Sequence, residues 1–451
     1  MSSILYINVM GGPPFQYVLP KLTKLGNVTV VQPEAINNAE LELLMTLTTN
    51  VVFYAPECGR SFLEFLIGIA QEKKADALVT FDEFYLEDVA QASVFLGLKG
   101  PGRNVQRSIR KDRMYQYFRA HDLLQREFIA SANPQDLWEN SIAAPYVIKP
   151  ARCAGSLGVF CVRSAQESNE FWTKMDSAQS AVRRVSTTMP GKEEQLLKQP
   201  FIKEKFLQGD AKYWFGADTP YADYISLEGI VIDGVYHPVA ITQNHPLVPE
   251  FTETVSMTPT TLAFEHQLEI ANKIKPCIES LGLSCCGVHT EIKLLANGKI
   301  AVIESAARFA GWSIIPQVES VFGIDLVTTH VTSLLHPKAA SVPSFEEIWR
   351  NRRGCAATIN LLPVSEKGDP WGKPIQYNGL AGLSDIEREG VFLEFTPYVE
   401  PGEFILPFSC VDGAWNSFGK LYLQSPQMQK TEAAVRAIRK NLRTMVEHAS
   451  A

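Results

Sequence analysis

The chain has 451 residues, of which 46% are hydrophobic and 20% are charged, and its formal net charge at pH 7 is −7. A length above roughly 300 residues predicts two or three subdomains rather than a single core. The negative charge argues against nucleic acid or an anionic membrane as a general partner. We find no signal peptide and no apolar run of about 18 residues. We therefore expect a cytoplasmic protein without a membrane span, whose eight cysteines are reduced.

The N-terminal segment alternates apolar runs with helix-like stretches. The runs are residues 4–9, 28–31, 51–54 and 77–80, and the stretches are residues 15–25, 38–47, 61–73 and 84–96. This βαβα order predicts an open, mainly parallel sheet, in which ligands bind beyond the carboxyl ends of the strands. The turn Gly11-Gly12 lies at such an end, but it is not a dinucleotide-binding fingerprint.

The next predicted strands enclose a loop of small residues. Residues 146–149 form an apolar strand that ends in Lys149-Pro150, and Gly155-Ser156-Leu157-Gly158 follows before the next strand. Such a loop lets backbone N–H groups close over phosphate oxygens, and a lysine at the strand end supplies positive charge. Gly-Ser-x-Gly also occurs in hairpins that bind nothing, which is the alternative. Residues 165–200 predict a surface helix and a mobile loop around Pro190-Gly191.

Residues 201–210 predict an apolar strand that ends in a turn with acidic residues. This segment would offer backbone groups to adenine and a carboxylate to ribose, and an ordinary edge strand is the alternative. The residues concerned are Glu204, Lys205, Phe206, Leu207 and Asp210.

Two glutamates near a predicted hairpin give the most informative pattern. Asn297 and Gly298 lie between two apolar-rich runs and predict a two-residue turn, because both central residues need positive φ. Counting outward from this turn places Glu291 directly opposite Glu304. Opposed carboxylates with Cβ atoms roughly 5 Å apart repel each other, so a cation is expected between them. Oxygen ligands favour Mg²⁺, or Mn²⁺; a solvated hairpin with two screened carboxylates is the alternative.

An arginine follows this hairpin closely. Arg308 lies four residues after Glu304, and its planar fork suits phosphate or carboxylate oxygens that also touch the metal. The alternatives are a structural ion pair for Arg308 and core packing for Trp312. The last 100 or so residues predict a strand at 355–362 and a long amphipathic helix at 429–447.

In this order the segments resemble the ATP-grasp superfamily of carboxylate–amine ligases, and more closely the bacterial L-amino-acid ligases that make dipeptides. The strongest stretches are residues 223–229, 251–254, 258–259, 289–294 and 303–312. The resemblance implies an α/β (α+β ATP-grasp) fold. It would have an N-terminal open parallel sheet over residues 1–105, a central ATP-grasp domain over residues 106–345 with a glycine-loop lid at about 140–215, and a C-terminal α+β subdomain over residues 346–451.

The resemblance also assigns roles to residues of this sequence. The Mg²⁺ ligands would be Glu291 and Glu304. The residues around ATP would be Lys111, Lys149, Gly155, Ser156, Leu157, Gly158, Glu204, Lys205, Phe206, Leu207 and Asp210. The amino-acid pocket would be formed by Glu83, Glu253, Ser256, His289, Arg308, Gly311 and Trp312. Of these, Arg308 would hold the transferred phosphoryl group or the tetrahedral intermediate, and Glu253 or Glu83 would hold an ammonium group or accept its proton.

Two positions depart from the family patterns. Ala306 occupies the place where many ATP-grasp enzymes have asparagine, and the dipeptide ligases share this alanine. Ser256 stands where a dipeptide ligase has a pocket histidine, which leaves space and removes a titratable donor. We therefore do not carry substrate preference over from the family.

The resemblance implies ATP-dependent joining of two unprotected L-amino acids through an acyl phosphate, with amino acids as small-molecule partners and a homodimer as one possible assembly. Three alternatives stay open: a ligase whose acceptor is not an α-amino acid, an ATP-binding regulatory protein without turnover, and a generic α/β binding module whose hairpin glutamates belong to the surface.

Overall fold

The computed structural model describes residues 1–9, 11–33, 36, 38–55, 59–124, 126–249, 251–311 and 313–449. Trp312, assigned above to the amino-acid pocket, lies outside the described residues. No described helix combines the length and the hydrophobicity that crossing a bilayer would require.

The N-terminal segment folds into the predicted parallel sheet, with the strand order β3-β2-β1-β4. The strands are β1 (Ser2–Ile7), β2 (Gly26–Gln32), β3 (Val51–Phe53) and β4 (Ala77–Thr80). The helices are α1 (Phe15–Leu25), α2 (Asn38–Leu47), α3 (Phe62–Glu72) and α4 (Leu86–Leu96). Four consecutive residues of β1, from Ile4 to Ile7, are buried, as expected where helices cover both faces of a parallel sheet.

A second sheet carries the glycine loop. Helices α5 (Gln106–Ile109) and α6 (Lys111–Ala120) lead into an antiparallel sheet with the order β5-β8-β6-β7. Its strands are β5 (Phe128–Ser131), β6 (Tyr146–Pro150), β7 (Phe160–Val162) and β8 (Phe201–Lys205). Its helices are α7 (Pro134–Glu139), α8 (Phe171–Ser186) and α9 (Glu193–Leu197). The segment expected to be a mobile loop packs on the N-terminal sheet's helices: Tyr85 donates a hydrogen bond to Pro190 O (3.0 Å), and Lys192 pairs with Asp88.

An eight-stranded sheet forms the rest of the framework, in the order β13-β12-β9-β10-β11-β14-β18-β16. Its strands are β9 (Tyr224–Ile232), β10 (Val235–Asn244), β11 (Val255–Thr258), β12 (Cys286–Leu294), β13 (Ile300–Ala306), β14 (Cys355–Asn360), β16 (Phe392–Pro397) and β18 (Gly419–Ser425); β15 (Ile375–Gln376) and β17 (Phe404–Ile405) pair separately. The helices are α10 (Ala211–Phe215), α11 (Phe264–Ser280), α12 (Ile314–Phe322), α13 (Leu326–Leu335), α14 (Phe345–Arg350), α15 (Leu383–Arg388) and α16 (Met428–Ala449). Strands from both sides of residue 345 share this sheet.

The hairpin between β12 and β13 confirms the opposition of Glu291 and Glu304, but the predicted two-residue turn is wrong. Leu294 pairs with Ile300, so five residues connect the strands, and Leu295 N–H donates to Lys299 O (2.9 Å). This longer turn moves the register by one residue. A bulge then inserts one extra residue in β13, between the pair Ile292–Val302 and the pair Glu291–Glu304, and restores it.

Alternation along the strands separates the site from the core. Ile225 and Leu227 of β9 point into the same apolar cluster as Ile270 and Ile274 of α11. Because neighbouring strand residues point to opposite faces, Glu228 and the residues opposite and beside it face the other way. Glu228, His289, Glu291 and Glu304 therefore lie on one face of this sheet.

Candidate active site

The two hairpin glutamates are each accompanied by a cationic side chain. Lys111 Nζ lies 2.9 Å from Glu304 Oε2, and His289 Nε2 lies 3.8 Å from Glu291 Oε1. Burial raises the pKa of Glu304, and the neighbouring carboxylate of Glu291 adds to that increase. For Glu291, burial acts in the same direction, but His289, together with Lys111 and Tyr224, outweighs burial and lowers the pKa. The repulsion expected from the sequence is present, and protein cations offset part of it.

His289, predicted as a pocket residue, is held by a glutamate that sequence reasoning missed. Its Nδ1 lies 2.8 Å from Oε1 of Glu228, which also accepts a hydrogen bond from Ser226 Oγ (2.8 Å). Glu228 is completely buried. Burial alone would lower the pKa of His289, but the carboxylates of Glu228 and Glu291 together outweigh burial and raise it to about 10. An imidazolium ring therefore lies between two carboxylates; the pattern Glu228–Gly229 within β9 had given no signal of this role.

Lys149 and Glu204 form a second buried group of charges together with Arg126, which was also missed. Glu204 Oε1 lies 3.0 Å from Lys149 Nζ, and Glu204 Oε2 lies 3.0 Å from Arg126 Nε. Burial would raise the pKa of Glu204, but the two cations lower it to about 2. Glu204, the carboxylate predicted to approach ribose, is thus held between two cations. One of them is Lys149, the lysine predicted to bind phosphate.

The glycine loop between β6 and β7 has the backbone geometry that its glycines permit. Gly155, Ser156 and Gly158 all have positive φ, at 67°, 58° and 66°, and Leu157 is buried. Ser156 Oγ donates a hydrogen bond to Phe251 O (2.9 Å). The loop thus lies against the turn that precedes the predicted pocket residue Glu253.

A C-terminal segment, residues 409–416, also contacts the glycine loop, and nothing in the sequence had indicated this. Gly158 N–H donates to Val411 O (3.2 Å), and Ala414 N–H donates to Gly155 O (3.2 Å). Arg184 of α8 forms an ion pair with Asp412. These contacts join the sheet that carries the glycine loop, and its helix α8, to the C-terminal region.

Arg308 and Glu83 are brought together as an ion pair, with 3.0 Å between Nε and Glu83 Oε2. The structural ion pair that the sequence left open for Arg308 is therefore present, and its partner is itself a predicted pocket residue. Gly311 lies close by: a Cβ there would be 2.5 Å from Gly11 O. The turn after β1 thus reaches the site, as expected for the carboxyl end of a parallel strand.

Two other predicted pocket residues lie close to one another in the chain, Glu253 just before β11 and Ser256 within it. Burial raises the pKa of Glu253 to about 7, with a further contribution from Glu291, and Tyr224 hydrogen-bonds to the Glu253 carboxylate. Asn360 Nδ2 donates to Glu253 O (3.1 Å), which fixes the backbone beside it. Ser256 Oγ accepts a hydrogen bond from Gln317 Nε2 (3.3 Å). A carboxyl group that titrates near neutral pH therefore lies within the electrostatic reach of Glu291.

Three of the residues predicted around adenine and ribose have other contacts in this structure. Asp210 caps α10, because its carboxylate accepts a hydrogen bond from Tyr213 N–H (3.0 Å). Lys205 Nζ donates to Ala143 O (2.9 Å), and the ring of Phe206 lies 6.2 Å from that of Phe251. Their roles toward a nucleotide stay predictions.

The carboxylates of Glu291 and Glu304 suit a hard divalent cation that also binds phosphate oxygens. Among the described residues, no group of three or more His, Cys, Asp or Glu side chains is arranged to hold a metal ion. Mg²⁺ is commonly bound through one or two carboxylates together with substrate phosphates and water. The opposed pair Glu291 and Glu304 fits that arrangement, and both would be available as ligands once Lys111 turned toward phosphate.

Comparison with known proteins agrees with this framework. Residues 142–315 match the family model described as the ATP-grasp domain. The alanine–anticapsin ligase of Bacillus subtilis (strain 168) is 32% identical over 284 residues, which cover 62% of this chain and 58% of that protein. The alanine–anticapsin ligase of Bacillus amyloliquefaciens is 33% identical over 287 residues, with the same coverage. The match thus spans 58% of the length of these relatives.

Solved structures resemble the chain over nearly its whole length. The L-amino acid ligase from Bacillus licheniformis superposes with a TM-score of 0.74 at 19% identity and covers 97% of both chains. The phosphoribosylglycinamide synthetase from Anaerococcus prevotii gives 0.63 at 13% identity, also with 97% of both chains. At these identities the likeness concerns the fold. The predicted fold class is confirmed: residues 142–315 match the ATP-grasp domain model, and the chain has the ATP-grasp fold.

Proposed function

We propose that this protein is an ATP-dependent ligase that joins two unprotected L-amino acids into a dipeptide through an acyl phosphate, with release of ADP and phosphate. The observation that carries the proposal is the opposed pair Glu291 and Glu304, with Lys111 on the latter carboxylate. Relatives named as an alanine–anticapsin ligase and a fold neighbour named as an L-amino acid ligase support the same class of reaction.

The nucleotide would be held by charges that are now paired within the protein. Lys111 and Lys149 each contact a glutamate at 2.9–3.0 Å, and a polyphosphate would compete for both ammonium groups. Mg²⁺, held by Glu291 and Glu304, would supply positive charge to the phosphate oxygens. The glycine loop would cover the site and exclude water, which would otherwise hydrolyse the acyl phosphate.

The first amino acid would present its carboxylate to the γ-phosphoryl group of ATP. One carboxylate oxygen forms the new O–P bond as the bond to ADP breaks. Arg308 would stabilise the charge on the transferred oxygens, because a guanidinium offers several donors in a fixed plane. Glu83 Oε2 lies 3.0 Å from Nε of that guanidinium, so their opposite charges keep Arg308 beside Glu83.

The second amino acid would attack as a free amine. Its nitrogen forms the peptide bond with the acyl carbon as the C–O bond to phosphate breaks, and one proton must leave the nitrogen. Glu253, whose pKa is about 7, is suited to accept that proton near neutral pH. His289 remains charged in this range, since its pKa is about 10, and would serve as a fixed donor.

The test combines the purified protein with ATP, Mg²⁺ and amino acids, added singly and in pairs, while phosphate release and product mass are followed. Phosphate release that requires two amino acids, with a product mass equal to their sum less water, would establish dipeptide ligation. Release with one amino acid alone would indicate a leaking acyl phosphate and an acceptor of another kind. The absence of release with every pair, despite ATP binding, would contradict the proposal.

A matched pair of variants controls this assay. Glu291→Gln should abolish turnover, whereas Glu265→Gln, on the exposed start of α11, should leave it unchanged. Equal loss in both variants would point to instability of the protein rather than to the metal pair.

A further inference from the structure

Arg126 lies at the centre of the site, although nothing in the sequence or the comparisons assigns it a role. Its side chain is 1% exposed and contacts three separate elements. Nε lies 3.0 Å from Glu204 Oε2 on β8, one terminal nitrogen donates to Tyr115 Oη of α6 (2.6 Å), and the guanidinium stacks 4.6 Å from the centroid of the Tyr115 ring. It also donates to the carbonyl oxygens of Val302 (3.0 Å) and Ile303 (3.2 Å) on β13.

The two carbonyl groups belong to the bulge that sets the metal pair. β13 is the outermost strand of its sheet, so its outer carbonyl groups have no neighbouring strand to donate to them. The extra residue of the bulge falls between the pairs of Val302 and Glu304, and Arg126 binds both carbonyl oxygens there. Tyr115 Oη is a second donor to Ile303 O (3.1 Å). Arg126 therefore holds the segment that places Glu304 opposite Glu291.

The same guanidinium shares Glu204 with Lys149. Both cations lie 3.0 Å from that carboxylate, one on each oxygen. If Lys149 turns toward a phosphate, the buried carboxylate of Glu204 is still paired with Arg126. Without Arg126, it would have no cationic partner. An unpaired buried carboxylate is costly in free energy. Without Arg126, Glu204 would therefore compete with the nucleotide phosphates for Lys149 and weaken nucleotide binding.

We propose that Arg126 is a positioning residue that couples the nucleotide side of the site to its metal side. It keeps Glu204 compensated when Lys149 binds phosphate, and it holds the bulge that sets Glu304 against Glu291. The inference rests on the proposed ATP- and Mg²⁺-dependent function and deepens it, because it predicts that affinity for nucleotide and affinity for Mg²⁺ depend on one side chain.

Two substitutions separate the two roles. Arg126→Met removes both, and should weaken ADP binding about 10- to 100-fold and raise the Mg²⁺ concentration needed for half-maximal binding by a similar factor. Arg126→Lys keeps one positive charge for Glu204 but cannot also donate to Val302 O, Ile303 O and Tyr115. It should leave ADP affinity within about threefold of wild type and still raise the Mg²⁺ requirement. Arg119→Met, an exposed arginine on α6, is the matched control and should change neither.

A double-mutant comparison tests the coupling itself. Glu204→Gln removes the carboxylate that Arg126 compensates, so Arg126→Met/Glu204→Gln should bind ADP more tightly than Arg126→Met alone. Loss of packing would not be repaired in this way. Purely additive losses in the double variant would overturn the part of the proposal that concerns Glu204.

The measurements use calorimetric titration of the full chain with ADP and Mg²⁺, without amino acids, together with the melting temperature of each variant. Arg126→Met and Arg126→Lys that melt earlier but bind ADP and Mg²⁺ like the wild type would overturn the proposal. If Arg126→Met fails to fold, the Mg²⁺ concentration that Arg126→Lys needs for half-maximal binding still tests the proposal. A wild-type protein that binds ADP and Mg²⁺ but makes no dipeptide would contradict the proposed function and leave this test intact.

Discussion

Two neighbouring regions of the site are organised in opposite ways. The charged cluster, which comprises Lys111, Lys149, Glu204, Glu291 and Glu304, is held by buried side-chain pairs, with a cation 2.9–3.8 Å from every carboxylate. The glycine loop, residues 155–158, is held by backbone hydrogen bonds to residues 409–416 and by one serine hydroxyl. The first region depends on charge, and the second depends on backbone shape.

This difference predicts how each region responds to change. Removal of one partner from a buried ion pair leaves the other charge without compensation, which is strongly destabilising. A loop held at its surface by a few separable contacts opens locally at a small cost. The charged cluster should therefore give large effects and the glycine loop small ones, and four substitutions test this expectation.

The largest effect is expected for Glu304→Gln. The substitution removes a carboxylate from the opposed pair and takes from Lys111 its closest anionic partner. Phosphate release with saturating ATP and amino acids should fall about 10³-fold, because charge stabilisation by a bound metal contributes several kcal/mol to such reactions. Activity within a few fold of wild type, in a variant that melts normally, would exclude a metal role for this hairpin.

Glu204→Gln should come next, in stability rather than in turnover. The unfolding free energy at pH 7 should fall by about 3 kcal/mol, since Lys149 and Arg126 lose their shared anion. The folded-state pKa of Glu204 is about 2, below the ordinary value of 4.5. Its contribution is therefore complete above pH 4.5 and is lost as the pH falls toward 2.

Urea titrations between pH 2.5 and pH 7 check both statements. The wild type should lose stability below pH 4.5 more steeply than Glu204→Gln does. Parallel curves for the two proteins would show that Glu204 is not held as an ionised carboxylate between these cations.

Gly158→Ala tests the glycine loop and should have a smaller effect. Gly158 has φ of 66°, and an alanine Cβ would lie 3.2 Å from Pro150 Cγ and from Val182 Cγ2. The unfolding free energy should fall by about 1 kcal/mol, and the KM for ATP should rise several fold. Gly68→Ala is the matched control, because a Cβ there meets nothing within 4 Å inside α3. It should be neutral or slightly stabilising; equal losses at both glycines would argue against a special conformation at Gly158.

The smallest effect is expected for Asp412→Asn, which breaks the ion pair between the C-terminal segment and Arg184 of α8. Arg184 is 60% exposed, and exposed pairs contribute about 1 kcal/mol or less. The KM for ATP should change by at most about threefold, and the difference from wild type should vanish in 0.5 M salt, where the screening length is short, about 4–5 Å. A tenfold change that persists in salt would show that this segment controls the loop more strongly than its contacts suggest.

The sequence alone determined the secondary structure of the N-terminal sheet and the opposition of the two hairpin glutamates. Strand and helix periodicity are local, so the predicted helices at 15–25 and 38–47 coincide with α1 and α2. Alternation likewise placed Glu291 and Glu304 on one face. The prediction of opposed glutamates is correct although the predicted two-residue turn is not, because the bulge offsets the register change caused by the longer connection.

Only the tertiary structure decided which groups from distant parts of the chain come into contact. Arg126 lies 78 residues from Glu204, Ser156 lies 95 residues from Phe251, and Arg184 lies 228 residues from Asp412. No local pattern encodes such pairs, because they depend on how separate sheets pack together. Glu228 is a related case: its neighbours in the sequence are those of an ordinary buried strand, and its role follows from β12 lying beside β9, which brings His289 to 2.8 Å.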